Sequence, residues 1–168
     1  MPLYSPLLGL EIGVEDDATI SSGKDPFRHK IAVYGSSIVH GASASRPGLA
    51  YPAIMSRMTG LNFVNIGISG SAKLQPGTAE MLEYMAADAY VLDCIPNCSP
   101  QEIKKLLGPF VKNLRVTNPK APIILVQTIV RPMGNFNLNI KRFEEEKRNA
   151  ARQVAMKLMD DVKSFYFI

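Results

Sequence analysis

Three short segments of the chain carry residue types that can handle an acyl group. The first, Gly35-Ser36-Ser37-Ile38-Val39-His40-Gly41, follows the aliphatic run Ile31-Ala32-Val33-Tyr34. Glycine lets the backbone turn sharply, and a serine just after the turn can project its hydroxyl from the start of the next segment, which is a nucleophile's position. The second is Asn65-Ile66-Gly67-Ile68-Ser69-Gly70 and the third is Asp93-Cys94-Ile95-Pro96-Asn97. A glycine N–H and an asparagine side-chain N–H beside a serine would form an oxyanion hole for a tetrahedral acyl-transfer intermediate. Taken alone, the serine-rich segment fits a plain turn whose serine caps a helix somewhat better than a nucleophile's turn. A phosphate-binding loop fits less well, because no glycine-rich run ends in Lys-Ser or Lys-Thr.

A neutral serine also needs a general base within hydrogen-bond reach, oriented by a third group. The histidines are His29 and His40. His40 follows Ser37 by three residues, a spacing that suits loop packing or substrate contact. His29 precedes the first aliphatic run, which puts it at the opposite end of that strand. Lys73 would have to be desolvated to lose its proton, and Ser71-Ala72-Lys73 reads as an open loop. Arg46, in the segment from Ser43 to Gly48, is placed to contact substrate or a carboxylate, with a surface salt bridge as the equal alternative. Cys94 and Cys98 lack two further ligands at zinc spacing and read as buried or loop thiols, with no disulfide framework.

The elements that must position these groups follow from hydropathy periodicity. Short aliphatic or β-branched runs predict strands over Lys30–Tyr34, Asn62–Ile66, Tyr90–Cys94, Ile123–Gln127 and Ser164–Phe167. Helical periodicity predicts helices over Ala50–Met58, Gly77–Ala86, Pro100–Thr117 and Ile140–Val162. Ser99-Pro100 with Glu102 reads as a capped helix start, and Asn118-Pro119 as its stop. Near-continuous apolar strands are buried on both faces, as in a parallel sheet between helix layers. The expectation is a three-layer α/β/α sandwich on a five-stranded, mainly parallel, flavodoxin-like sheet, with functional loops at the strands' carboxyl ends. Residues 1–28 fit this scheme poorly. They read as a lead-in with one strand-like run from Leu8 to Val14, and residues 29–168 as the domain proper.

At 168 residues, 46% hydrophobic and 20% charged, the chain suits one globular domain and not a disordered or fibrous one. The formal charge of +4 is spread along the sequence, without the clustered stripe of a nucleic-acid binder. The densest stretch, Lys141 to Arg152, contains Glu144, Glu145 and Glu146 and is expected to be a solvated helix face with internal ion pairs. No apolar run reaches a membrane span, and the first residues lack a signal peptide's basic and apolar regions. The chain reads as soluble. Its compartment stays open, and a secretory signal removed from the full-length form would place it in a bacterial periplasm or outside the cell.

The three segments together resemble the SGNH (GDSL-like) hydrolase family, whose first block runs Gly-Asp-Ser with a glycine four residues after the serine. Gly35, Ser37 and Gly41 match it, and Ser36 stands where the family has aspartate. The resemblance implies Ser37 as nucleophile, with its own N–H helping to bind the oxyanion. It implies Gly70 as the glycine donor of the second block and Asn97 as the amide donor of the third. There Ile95-Pro96-Asn97-Cys98 replaces the usual Gly-x-Asn-Asp.

The stretches YGSSIVHGASASRPGLAYPAIMSR, NIGISGSAKLQP and YVLDCIPN are most similar to a bacterial subgroup assigned to carbohydrate-ester hydrolysis. In that subgroup the domain often follows a small β-rich one, whose end PLYSPLLGLEIGV resembles. The resemblance implies a serine esterase acting on small acyl esters, such as acetyl groups on carbohydrates, through an acyl-enzyme. It requires no metal or organic cofactor, and Arg46 and His40 are the expected substrate contacts. The family's base comes from an Asp-x-x-His block after the last strand, and no such block occurs in the chain. The expectation is a piece lacking some tens of residues, with impaired turnover. Two rival readings are a non-catalytic carbohydrate- or ligand-binding domain on the same scaffold, suggested by the departures from the family pattern at Ser36 and Pro96-Asn97-Cys98, and a flavodoxin-like nucleotide or flavin binder, supported only by sheet architecture and the serine-rich loop after the first strand. The residues leave oligomeric state undecided.

Overall fold

The structure is a computed structural model, in which residues 4–24 and 26–168 are described. Five strands, β1 (Lys30–Gly35), β2 (Asn62–Gly67), β3 (Ala89–Asp93), β4 (Ile123–Leu125) and β5 (Phe165–Phe167), form one sheet in the order β2-β1-β3-β4-β5. All four pairings are parallel. Parallel neighbours need crossover connections. These run through α1 (Ser37–His40) and α2 (Tyr51–Thr59) between β1 and β2, and through α3 (Pro76–Glu83) between β2 and β3. The crossovers from β3 to β4 and from β4 to β5 use α4 (Pro100–Thr117) and α5 (Leu138–Asp161).

The chain steps from β1 to β2 in one direction and from β2 through β5 in the other. Right-handed crossovers therefore put α2 on one face of the sheet and α3, α4 and α5 on the other. The expected α/β/α sandwich is the observed architecture.

Strand alternation sorts the core by face. Ala32 and Tyr34 of β1, Tyr90 and Leu92 of β3, Ile123 and Leu125 of β4, and Phe165 of β5 are register partners and are all buried beneath α3, α4 and α5. On the opposite face the row runs from Val33, wholly buried, through part-buried Val91 and Ile124 to Tyr166, 50% exposed.

In α4 the buried residues Pro100, Ile103, Leu107, Phe110, Val111 and Leu114 repeat at helical spacing. Burying each large one is worth about 1.5–3 kcal/mol, so the stripe outweighs the roughly 3 kcal/mol cost of the interior Pro109. That is why the helix runs through the proline to Thr117.

Two sequence expectations change. The run Leu8–Val14 forms no strand, and residues 5–24 are exposed throughout. The helix face from Lys141 to Arg152 is not uniformly solvated, because Glu144 and Lys147 are buried. They fall in one stripe with Ala151, Ala155 and Leu158.

Candidate functional site at the carboxyl ends of β1, β2 and β3

In the order β2-β1-β3 the chain leaves β1 on one side and returns on the other, so the carboxyl ends of β1 and β3 flank a topological switch point. Open α/β sheets leave a crevice there. Register sharpens the placement: Gly35 lies level with Gly67 on one side and with Asp93 on the other. The segments carrying Ser37, Gly70 and Asn97 start from these three positions.

Hydrogen bonds tie the three segments together. Ser36 N–H donates to the Asp93 carbonyl at 3.1 Å, and Ile68 N–H donates to the Gly35 carbonyl at 2.8 Å. The Asn97 side-chain amide donates to the Ile68 carbonyl at 3.4 Å. Each of the three strand ends is therefore bonded to a neighbour within a few residues of Ser37, Gly70 or Asn97.

Ser37 opens α1 and is half-buried. Ser36 precedes it as the N-cap, buried, with its hydroxyl accepting the Ile38 N–H at 3.3 Å. A serine therefore supplies the cap acceptor where the family has aspartate. The first N–H groups of a helix have no acceptor inside it, and Ser37 N–H is one of these. Gly41 ends the helix at φ 108°, a left-handed conformation that favours glycine, and its N–H returns to the Ser37 carbonyl at 3.0 Å.

The glycine at 35 is required by space. A Cβ there would strike the Asp93 carbonyl and the Val39 side chain. Gly70 is different, since a Cβ would meet nothing within 4 Å, but its φ of 73° is left-handed. It sits in a turn held by Ser71 and Ala72 N–H groups donating to the Ile68 carbonyl, both at 3.0 Å. Asn97 ends a short 3-10 turn (Ile95–Asn97), and its backbone N–H donates to the Cys94 carbonyl at 3.1 Å. One hydrogen of its side-chain amide is used on Ile68, and an amide NH2 has two to give.

His40 ends α1 over the carboxyl end of β2, where its backbone closes on Gly67. The Tyr4 ring stacks on its imidazole at 4.1 Å between centroids. Arg46 is exposed at the start of the 3-10 turn Pro47–Leu49, outside the bonded cluster. His29 stands at the opposite end of the sheet, 3.6 Å from Asp88. Lys73 pairs with Glu102 at 3.8 Å and is part-exposed. Cys94 and Cys98 are free, buried thiols.

Sequence reasoning missed two features of this region. The Tyr51 hydroxyl donates to an Asp93 carboxylate oxygen at 3.0 Å. Burial holds the Asp93 carboxyl above the usual range, with the Tyr51 bond offsetting part of that, and burial beside Asp93 raises the Tyr51 hydroxyl too. Nothing local in the sequence joins residues 42 apart. The second feature is Lys147, whose Nζ donates to the Pro96 carbonyl at 3.2 Å, next to Asn97. A signal existed for this one, because residues 144, 147, 151, 155 and 158 repeat at core-facing helical spacing.

Surface clefts of about 350 and 500 Å³ lie at the other end of the sheet, around Asn118–Ala121 and Arg115–Lys163. They contain neither a serine beside a helix start nor a cysteine. Among the described residues no group of three or more His, Cys, Asp or Glu side chains could hold a metal ion. Nor is any helix long and apolar enough to cross a membrane.

The chain resembles known proteins in both sequence and structure. Residues 28–168 match the sequence profile of the GDSL-like lipase/acylhydrolase family. A GDSL-like lipase from Bacteroides ovatus superposes with a TM-score of 0.84 at 49% identity over 92% of this chain and 46% of that one. The salicylyl-acyltransferase SsfX3 of a tetracycline biosynthetic pathway aligns at a TM-score of 0.73 and 22% identity, over 83% of this chain and 42% of its own. A family two carbohydrate esterase from Clostridium thermocellum aligns at 0.61 and 14%, over 89% and 56%. The two distant likenesses bear on fold alone. No curated protein sequence matches, and the chain spans about half the length of these relatives, or less for the first two. Profile, near-half identity to a GDSL-like lipase and the parallel sheet agree, and this chain belongs to the GDSL-like lipase/acylhydrolase family of SGNH hydrolases.

Proposed function

We propose that the chain carries the nucleophile and oxyanion donors of a serine esterase that removes acetyl or other small acyl groups from carbohydrate esters. The observation that carries this reading is the level register of Gly35, Gly67 and Asp93, with the hydrogen bonds that join the three segments beyond them. The Ser37 hydroxyl attacks the ester carbonyl carbon and gives its proton to a base. The resulting oxyanion is held by the Ser37 and Gly70 N–H groups and the Asn97 amide. Collapse breaks the bond to the alcohol oxygen, which leaves with the proton, and water then releases the acid from Ser37 by the same route in reverse. Arg46 and His40, on the segment that follows Ser37, are the proposed contacts to the alcohol part. Family membership supports ester hydrolysis, and the carbohydrate as alcohol rests on the subgroup resemblance and on the carbohydrate esterases that share the fold.

The family's base comes from an Asp-x-x-His block, and these 168 residues contain no such block. A helix reaching back from such a segment would cover the Val91, Ile124, Tyr166 row, which opens toward the β5 edge. A positioned base contributes about 10²- to 10⁴-fold, so the 168-residue chain should hydrolyse p-nitrophenyl acetate slowly, and Ser37→Ala should remove what rate there is. Hydrolysis that survives Ser37→Ala sinks the assignment of the nucleophile. Rapid, Ser37-dependent hydrolysis by the 168-residue chain sinks the external base and turns attention to His40.

A further inference from the structure

Esterase chemistry at Ser37 leaves two buried charges without a purpose. Lys147 is 1% exposed, and Glu144 lies one helical turn before it on α5, nearly as deep. An ammonium taken out of water is costly unless it is paired and hydrogen-bonded, and a methionine would fill the same space without that cost. Lys147 Nζ donates to Glu144 Oε1 at 3.0 Å and to the Pro96 carbonyl at 3.2 Å.

The same carbonyl accepts a second charged donor, Arg131 Nη2, at 3.0 Å, and Arg131 Nε lies 3.5 Å from Glu144 Oε1. Cations from α5 and from the segment after β4 thus converge on one oxygen, with one carboxylate between them. Charge-assisted hydrogen bonds are roughly twice as strong as neutral ones. The Pro96 carbonyl is half of the planar peptide unit that leads into Asn97, so holding its oxygen fixes the direction of the Asn97 N–H and the placement of its Cα. From the other side, Asn97 is held by neutral bonds to the Cys94 and Ile68 carbonyls.

We propose that Lys147, assisted by Arg131 and bridged to it by Glu144, is a positioning residue that clamps the Pro96–Asn97 peptide so that the Asn97 amide is preorganised toward the acyl site. The proposal rests on the reading of Asn97 as an oxyanion donor. An oxyanion hole works because its donors need no reorientation at the moment of reaction, and an amide on an unsupported turn would not meet that condition.

The test compares the 168-residue chain with Lys147→Met, Arg131→Met, Asn97→Ala and the Asn97→Ala/Lys147→Met pair. One readout is the ¹⁵N signal of the Asn97 side-chain amide, assigned by its loss in Asn97→Ala. The other is Ser37-dependent hydrolysis of p-nitrophenyl acetate with imidazole added as base, taken as the difference from Ser37→Ala. Lys147→Met and Arg131→Met should each shift or broaden the Asn97 amide signals and leave those of Gly35 and Ser36 in place. Each should lower kcat about ten- to hundredfold, as a misplaced group does, with KM changed less than about twofold because uniform binding is untouched. On the Asn97→Ala background Lys147→Met should cost nothing more in kcat, since the two act through one amide.

Unmoved Asn97 signals in both methionine variants, or fully additive losses in the pair, overturn the proposal. Should Lys147→Met fail to fold, Arg131→Met decides alone, its side chain being half-exposed. If the unmutated chain shows no Ser37-dependent hydrolysis, the esterase reading fails by itself, and the amide signals still decide whether the clamp holds Asn97.

Discussion

A methyl group on Gly67 would fall onto the backbone nitrogen and Cα of His40. Backbone cannot swing aside as a long side chain does, so the clash must be relieved by moving α1 or the end of β2. Asn65 makes such movement harder. Its side chain donates to the Val39 carbonyl at 2.7 Å and accepts the Gly67 N–H at 2.9 Å, locking strand end to helix. Overpacking a tight contact costs about 1–3 kcal/mol, and with backbone as the obstacle Gly67→Ala should reach at least the upper part of that range in a denaturant titration. Because the moved element carries Ser37, Ser37-dependent hydrolysis should fall with it. A loss under about 0.5 kcal/mol, within the range of ordinary surface changes, would show that α1 is not held against β2. The segments carrying Ser37, Gly70 and Asn97 stand out in the sequence because small and amide residues directly follow aliphatic runs, while the roles proposed for the three residues come from the family resemblance. Gly67's steric duty was not legible there, since it arises from a four-residue helix too short to leave a periodic trace. Lys147 was misread because its neighbours in the chain are charged, although its spacing to Ala151, Ala155 and Leu158 matches the core stripe.

Among the elements, α4 couples a strong local signal to the site. Ser99 accepts the Glu102 N–H at 3.2 Å while Glu102 accepts the Ser99 N–H at 2.7 Å, a reciprocal capping box two residues after Asn97. The Ser99 N–H holds the Glu102 carboxyl below its usual range, with Lys73 adding to the effect. Ser99→Ala should lower stability by about 1 kcal/mol, seen as a lower midpoint in denaturant with an unchanged slope. No change in the midpoint would mean that Pro100 and the buried stripe alone define the helix start. This box, readable as Ser-Pro-Gln-Glu, is why α4 was delimited at both ends from sequence. The end of β4 was less legible. The apolar run continues to Val126 and the expected strand to Gln127, and both residues still donate across the sheet, to the Leu92 and Ile168 carbonyls. The regular ladder nevertheless stops at Leu125. Hydropathy follows burial, and there burial outlasts the ladder.

For the molecule as a whole, the division of labour lies between a sheet that fixes the site and a lead-in that contributes little to it. Leu8, Leu10 and Ile12 are 94%, 76% and 64% exposed, and no helix or strand occurs before Lys30 among the described residues. Exposed backbone without secondary structure opens at almost no free-energy cost, and proteases cut there first. The core, by contrast, is a contiguous set of buried side chains running from Ala32 to Phe165. Limited proteolysis should therefore cut within residues 5–28 and leave a resistant body starting near His29. Its thermal midpoint should lie within a few degrees of that of the uncut chain. The small loss expected has an identified source: trimming removes Tyr4, and a stacked aromatic pair such as Tyr4 with His40 is worth about 0.5–1.5 kcal/mol beyond its buried area. Mass spectrometry of the resistant fragment and a melt of each form would decide it. A fragment that loses cooperative unfolding would mean that the first residues are part of the fold. A midpoint unchanged within error would mean that the Tyr4 ring rests on His40 without stabilising it.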